Sequence, residues 1–203
     1  MSKNLLTNPY VNTNLTGRVC LKPNFLDNNI YIHLKTILKK NVEKKCNKYG
    51  FIHTVHKILN FKEGFMIPED LTGSVIYDVK YSALVCLPQE NTTIICKINK
   101  MENNLFTAEN GPVLIILKQQ DINKDFFSVD TRNVITTKDG KKIEVGDYVG
   151  VYIKNKRFFS GDNIIIGIGR LDSIATPEQV EQYYNPLYID EDEEKIGSNI
   201  IDI

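Results

Sequence analysis

Two imidazoles close together in a chain can share a metal ion, and His53 and His56 are the first residues of this sequence to suggest it. They lie three apart in Phe51–Leu59, whose aromatic and β-branched content predicts a strand, and an unbroken pleat turns them to opposite faces, which removes the site. Gly167-Ile168-Gly169 has the glycine spacing of a phosphate loop, but it sits inside a β-prone run and opens no helix, so packing or a bulge accounts for it. Cys20, Cys46, Cys86 and Cys96 stand far apart with no Cys-x-x-Cys pair and read as reduced, buried thiols. Asp130, Asp139 and Asp147 fall in predicted surface turns, and no Gly-x-Ser-x-Gly, His-Glu-x-x-His or Walker sequence occurs. With no catalytic constellation to assemble, the chain is read as a binding protein, without catalytic, cofactor or metal site.

Binding chemistry has softer signals. Lysines and aromatics interleave along the second half: Lys97, Lys100, Phe106 and Lys118, then Lys154, Lys156, Arg157, Phe158 and Phe159. Single-stranded nucleic acid uses such residues, the cations on phosphates and the rings under bases. Phe106 reads equally well as a core residue, basic residues in a turn are usually solvated, and Glu102 and Glu109 oppose phosphate.

Several elements must position these groups. The first 16 residues are polar, Asn-rich and aperiodic, and read as a flexible arm. Arg18–Leu21 is β-prone and ended by Pro23. From Asp27 to Cys46, Ile30, Leu34, Ile37, Leu38 and Val42 make one stripe of an amphipathic helix, capped by Asn24 or Asp27, with Lys39, Lys40, Lys44 and Lys45 complementing its negative end. Strands are then expected at Phe51–Leu59, Ser74–Tyr81 and Ala83–Leu87. After Pro88 come five more, at Thr93–Lys100, Asn104–Glu109, Val113–Leu117, Asp147–Ile153 and Asn163–Leu171, which suit an OB-type barrel. The stretch Lys118–Lys142 is a long insertion between the third and fourth barrel strands, functional or loosely ordered. The fold class is therefore α+β: a flexible arm over 1–16, a small α+β domain over 17–88, an all-β barrel over 89–174, and a tail over 175–203.

The 203 residues carry 25 basic and 25 acidic groups, yet the zero sum hides segregation. Met1–Asn60 sums to +8, Phe61–Ala175 to −1 and Thr176–Ile203 to −7. A basic segment meets nucleic acid or an acidic protein surface, whereas an acidic run such as Asp190–Glu194 is usually a solvated tail. No signal-like opening and no apolar run of membrane length occurs, so a soluble intracellular protein without membrane contact is expected.

Three stretches are more specific. Val42-Glu43-Lys44-Lys45-Cys46-Asn47-Lys48-Tyr49-Gly50-Phe51-Ile52, then Gly64-Phe65-Met66-Ile67-Pro68, then Tyr77-Asp78-Val79-Lys80-Tyr81-Ser82-Ala83-Leu84-Val85-Cys86-Leu87-Pro88 together resemble the stalk subunit of multisubunit DNA-directed RNA polymerases. That family holds the seventh subunit of RNA polymerase II, its counterparts in the other nuclear polymerases and the equivalent stalk protein of archaea. Asn104 to Pro112 resembles its barrel segment, and Ile166-Gly167-Ile168-Gly169 its closing strand. The likeness runs from about Asn14 to Ser173. Departures are Lys44 where the family has glycine, Asn91 or Thr92 at the glycine opening the first barrel strand, and Asn104 or Leu105 before the barrel aromatic. Asparagine accepts a positive φ and can make the same turns.

The resemblance implies a truncated RNP-like N-terminal domain and an S1-type OB barrel, with no catalytic residues. It implies docking on the polymerase core near the clamp through a tip at Leu59–Pro68, with Phe61, Phe65 and Ile67 as anchors beside Lys62, Gly64 and Pro68. Phe61 and Phe65 covering their own domain's core is the competing reading. The implied partners are the core subunits, a second stalk subunit forming a heterodimer, and nascent single-stranded RNA met by Lys97, Lys100, Phe106, Lys118, Lys154, Lys156 and Arg157. The alternative is a free-standing OB-fold protein of translation or RNA decay. A nuclear location follows for a cellular member, and a viral factory or virion for a member encoded by a large DNA virus, which the Asn- and Ile-rich composition suits.

Overall fold

The computed structural model describes residues 6–102, 105–129, 135–138 and 140–184. They form a mostly β molecule with two α-helices, built from a four-stranded sheet followed by a closed five-stranded barrel.

The sheet runs in the order β1 (Tyr10–Leu21), β4 (Val75–Cys86), β3 (Gly50–Phe61), β2 (Lys45–Asn47). Its centre, β4, is one strand of 12 residues and not the two expected, with Val75, Tyr77, Val79, Tyr81, Ala83 and Val85 alternating inward. The expected arm over 1–16 also needs correcting: Tyr10 pairs with Cys86 and the ladder continues unbroken to Leu21 and Val75. The part of the strand before Arg18 was hidden because its exposed positions include the turn-forming Asn12 and Asn14 and the polar Thr16, while Leu15 faces inward.

Helix α1 (Ile30–Val42) lies on this sheet and buries Leu34 and Leu38 completely, with Ile30, Ile37 and Val42 alongside. An Asx turn precedes it, Asn29 N–H donating to Asp27 Oδ1 at 2.8 Å. The helix stops at Val42 because Glu43 is extended and Lys44 enters the left-handed region at φ 60°. Lys45 and Cys46, expected in the helix, are therefore in β2.

The barrel order is β5 (Thr93–Met101), β6 (Leu105–Asn110), β7 (Val113–Ile122), β11 (Ile165–Ile174), β10 (Tyr148–Arg157) and back to β5. Of these five pairings only β7–β11 is parallel. Asn91, at φ 62°, makes the turn into β5 that its residue type allows. The long insertion carries a hairpin of β8 (Phe127–Val129) and β9 (Ile135–Thr137), whose Phe127 and Ile135 join the barrel core with Ile143. Asp130, Asp139 and Asn104 lie outside the described residues.

The expected tail does not begin at residue 175. Helix α2 (Pro177–Tyr184) folds back on the barrel, burying Tyr183 and packing Tyr184 edge-on to Tyr148. The acidic run Asp190–Glu194 lies outside the described residues.

Candidate docking and nucleic-acid interfaces

Strand β3 carries three bulges, at His53, His56 and Leu59, because its register against β4 skips a residue at each. The burial period becomes three, and Ile52, Val55 and Ile58 all point into the core. The histidines then share a face instead of opposing each other. His53 packs edge-on to the Tyr10 ring at 5.7 Å, and His56 Nε2 lies 3.1 Å from Asn12 Oδ1. Burial lowers the His53 pKa. Among the described residues no three His, Cys, Asp or Glu side chains gather as metal ligands.

At the distal end of β3 the chain passes Phe61 and enters the tip. Phe61 is half-buried and packs edge-on to Tyr77, as a cover for its own core. Gly64 lies so close to the sheet that a Cβ there would come within 2.7 Å of the Tyr77 ring and nearer still to Val75. Only glycine lets Phe65 form its two backbone hydrogen bonds with Ile76, at 2.8 and 3.0 Å. These hold the loop across the sheet end and leave Phe65, Met66 and Ile67 exposed, with Lys62 and Pro68 also at the surface. Leu71, at 97% exposure, has almost no protein contact, and Phe25 and Leu26 add apolar surface from the segment that meets this loop at Gly73 and Pro23. Sequence reasoning missed Met66 and Leu71 as anchors; the absence of any helix or strand period around them was the available signal.

The barrel residues separate into occupied and free groups. Phe106 is 3% exposed and packs in the barrel core, so it cannot stack on a base; its position on β6 alternates inward. Lys100 is paired with Glu102 and Lys154 with Asp121, while Lys156 Nζ donates to the Pro88 carbonyl at 2.6 Å. Lys97 lies 6.0 Å from the Tyr148 ring centre, and Lys118 is exposed. Arg157 lies over Phe159 at 4.8 Å.

A second surface forms where sheet and barrel join. Cys46 N–H donates to the Asp162 carbonyl at 2.7 Å, and Gly161 N–H to the Cys46 carbonyl at 2.8 Å, so β2 is stitched to the β10–β11 loop. Cys46, Cys86 and Phe51 belong to the barrel's core cluster, and Leu87 N–H donates to the Pro9 carbonyl at 2.8 Å. Burial, with Asp162 beside it, pushes the Cys46 thiol up to about 11; burial and Cys46 push Cys86 up to about 12. Both are protonated packing groups at neutral pH and poor nucleophiles. Cys20, in contrast to the expectation, is exposed.

No described helix is long and apolar enough to cross a membrane. No family model matches the chain. It is 30% identical over 176 residues to a protein of Acanthamoeba polyphaga mimivirus provisionally named a DNA-directed RNA polymerase subunit, covering 87% of this chain and 88% of that one. It is 28% identical to RNA polymerase II subunit rpb7 of Dictyostelium discoideum, over 76% of this chain and 91% of the relative. The subunit RPB7 of Glycine max is 31% identical, over 72% and 84% respectively.

Proposed function

The chain belongs to the RPB7 family of DNA-directed RNA polymerase subunits, and we propose that it is a non-catalytic stalk subunit that docks on the polymerase core near the clamp and contacts nascent RNA. The first half takes the place of the truncated RNP-like domain and the barrel that of the S1-type OB domain. Its strand order, with one parallel pair closing an otherwise antiparallel barrel, supports that reading.

The observation that carries the docking role is the tip. Phe65, Met66, Ile67 and Leu71 are all exposed on one glycine-dependent loop. Exposed apolar side chains clustered in this way mark a surface made for another protein. The tip therefore supplies the anchors, with Phe61 as internal support. A second stalk subunit is the expected partner along the barrel, where Ile164, Ile166 and Ile168 form an exposed apolar stripe on and beside β11. A nuclear or viral intracellular site of action follows from the same assignment.

Affinity purification of the tagged full chain from its native source tests this. Recovery of the two largest polymerase subunits in near-stoichiometric amount is expected; recovery of RNA and ribosomal or decay factors without them would overturn the assignment.

A further inference from the structure

Helix α1 covers one face of the four-stranded sheet. Leu15, Val19, Tyr77, Val79 and Tyr81 are buried there with Leu34 and Leu38, so Thr16, Arg18, Asp78 and Lys80, which alternate with them, point to the opposite face. Asn60 pairs with Lys80 in the β3–β4 register, and Lys62 N–H donates to the Asp78 carbonyl at 3.0 Å. These six residues line a groove of about 520 Å³ across β1, β4 and the end of β3.

The groove is cationic. Arg18 Nε is paired with Asp78 Oδ1 at 3.1 Å, while Lys62 and Lys80 have no carboxylate within ion-pair distance among the described residues. Three cations against one carboxylate leave a net +2. Charge of the opposite sign follows the last described residue, beside the same face. Helix α2 ends at Tyr184, where Asn8 Nδ2 donates to the Tyr183 carbonyl at 3.3 Å and Tyr10 and Tyr184 pack on one core. Along the unbroken β1 ladder Tyr10 shares its face with Asn12, Asn14, Thr16 and Arg18. The groove therefore begins at Thr16, six residues from Tyr10 and roughly 20 Å along the strand. The 19 residues from 185 to 203 carry six acids and one lysine, and the run Asp190–Glu194 begins six residues past Tyr184, a reach of roughly 20 Å for extended chain.

We propose that the acidic run Asp190–Glu194 occupies this groove as an intramolecular strap, its carboxylates meeting Arg18, Lys62 and Lys80. Other exposed lysines fit the run less well. Lys97 stands opposite Glu109 in the β5–β6 register and Lys100 is paired with Glu102, so acids on that face repel a further acid. Lys45 and Lys48 lie on β2 and its turn, across the whole sheet from β1. A segment tethered in this way acts at an effective concentration of about a millimolar, which an untethered acidic protein must overcome. The strap neutralises the open face of the sheet. Because Lys62 leads from β3 into the tip, the strap also masks a cation beside the docking anchors until an acidic partner displaces it.

Zero-length carbodiimide crosslinking of the full chain, read by mass spectrometry on an equal mixture of heavy-isotope-labelled and unlabelled protein, tests the strap. Crosslinks joining residues 190–194 to Lys62 or Lys80 within one molecule are expected. Arg18→Glu removes no crosslinkable amine and should reduce them by about threefold, the effect of losing one exposed charge contact. Crosslinks to Lys45, Lys48 or Lys97 alone, or none, would overturn the proposal, and crosslinks between labelled and unlabelled chains would give the groove to a second copy. Anisotropy of a labelled polyglutamate peptide supplies a second readout, with melting curves confirming that each variant is folded. Asp190→Asn, Glu191→Gln, Asp192→Asn, Glu193→Gln and Glu194→Gln together should tighten peptide binding by about tenfold, because the tethered competitor is gone. Adding Arg18→Glu and Lys80→Glu should abolish that gain. Equal peptide binding with and without the five acids would overturn the strap, and a gain for a uridine oligomer with none for polyglutamate would give the groove to RNA.

Discussion

Strand β3 ends in two surfaces of opposite chemistry. At Phe61 it feeds a tip that exposes the apolar Phe65 to Ile67 and Leu71; at Gly50 it is preceded by β2 and a turn, a stretch that carries Lys44, Lys45 and Lys48. The lysines lie in Met1–Asn60, which sums to +8, whereas the tip lies in the nearly neutral stretch that begins at Phe61, so the charge changes along one strand. The tip's backbone is closed by a glycine, Gly64, pressed against Tyr77; the junction's is closed by a lysine, Lys44, in a conformation that glycine adopts more easily. One end minimises bulk so that a loop can lie flat, and the other retains a cation despite backbone strain.

The barrel face expected to meet RNA has its harshest trial at Phe106, which is buried in the core. Phe106→Ala should cost about 3–5 kcal/mol of stability, read by urea unfolding, because it empties a core position. RNA affinity measured on the remaining folded protein should stay within about twofold, since a side chain buried in the core stacks on nothing. A stable Phe106→Ala variant that no longer binds RNA would return recognition to the barrel face.

How far the sequence carried depends on which signal each element left. Helix α1 was legible from its apolar stripe, and the barrel strands from their spacing, because both depend on local periodicity. The part of strand β1 before Arg18 was missed because an edge strand with outward Asn and Thr has the composition of a loop. The histidine geometry failed because bulges at His53 and His56 change the period of β3 from two to three, and nothing in the residue types announces a bulge. Of the site, Lys97, Lys100, Phe106 and Lys118 were chosen by proximity along the barrel. The burial of Phe106 and the pairing of Lys154 with Asp121 are tertiary facts. Arg157 and Phe159 were visible in the sequence, but the join of their loop to β2 is made by backbone bonds from Gly161 and Asp162 to Cys46, more than a hundred residues earlier.

A smaller change addresses the contrast between the two backbone closures. Lys44→Gly should raise stability by about 1 kcal/mol, seen as a higher urea midpoint, because a non-glycine residue in the left-handed region carries roughly that strain. A destabilised variant would mean that the Lys44 side chain makes a packing contact that outweighs its backbone strain.

Under the proposed docking role the apolar tip after Phe61 binds the polymerase core and the basic stretch before Gly50 does not. Polymerase recovery through two tagged variants decides it, one with Phe65, Met66, Ile67 and Leu71 all changed to Ser and one with the junction charges reversed. The tip variant should remain folded and bind RNA as the wild type does, while bringing down less than about a tenth of the large subunits, given the few kcal/mol that buried apolar anchors contribute to an interface. The junction variant should bring them down in full. Equal recovery through both would refute the separation.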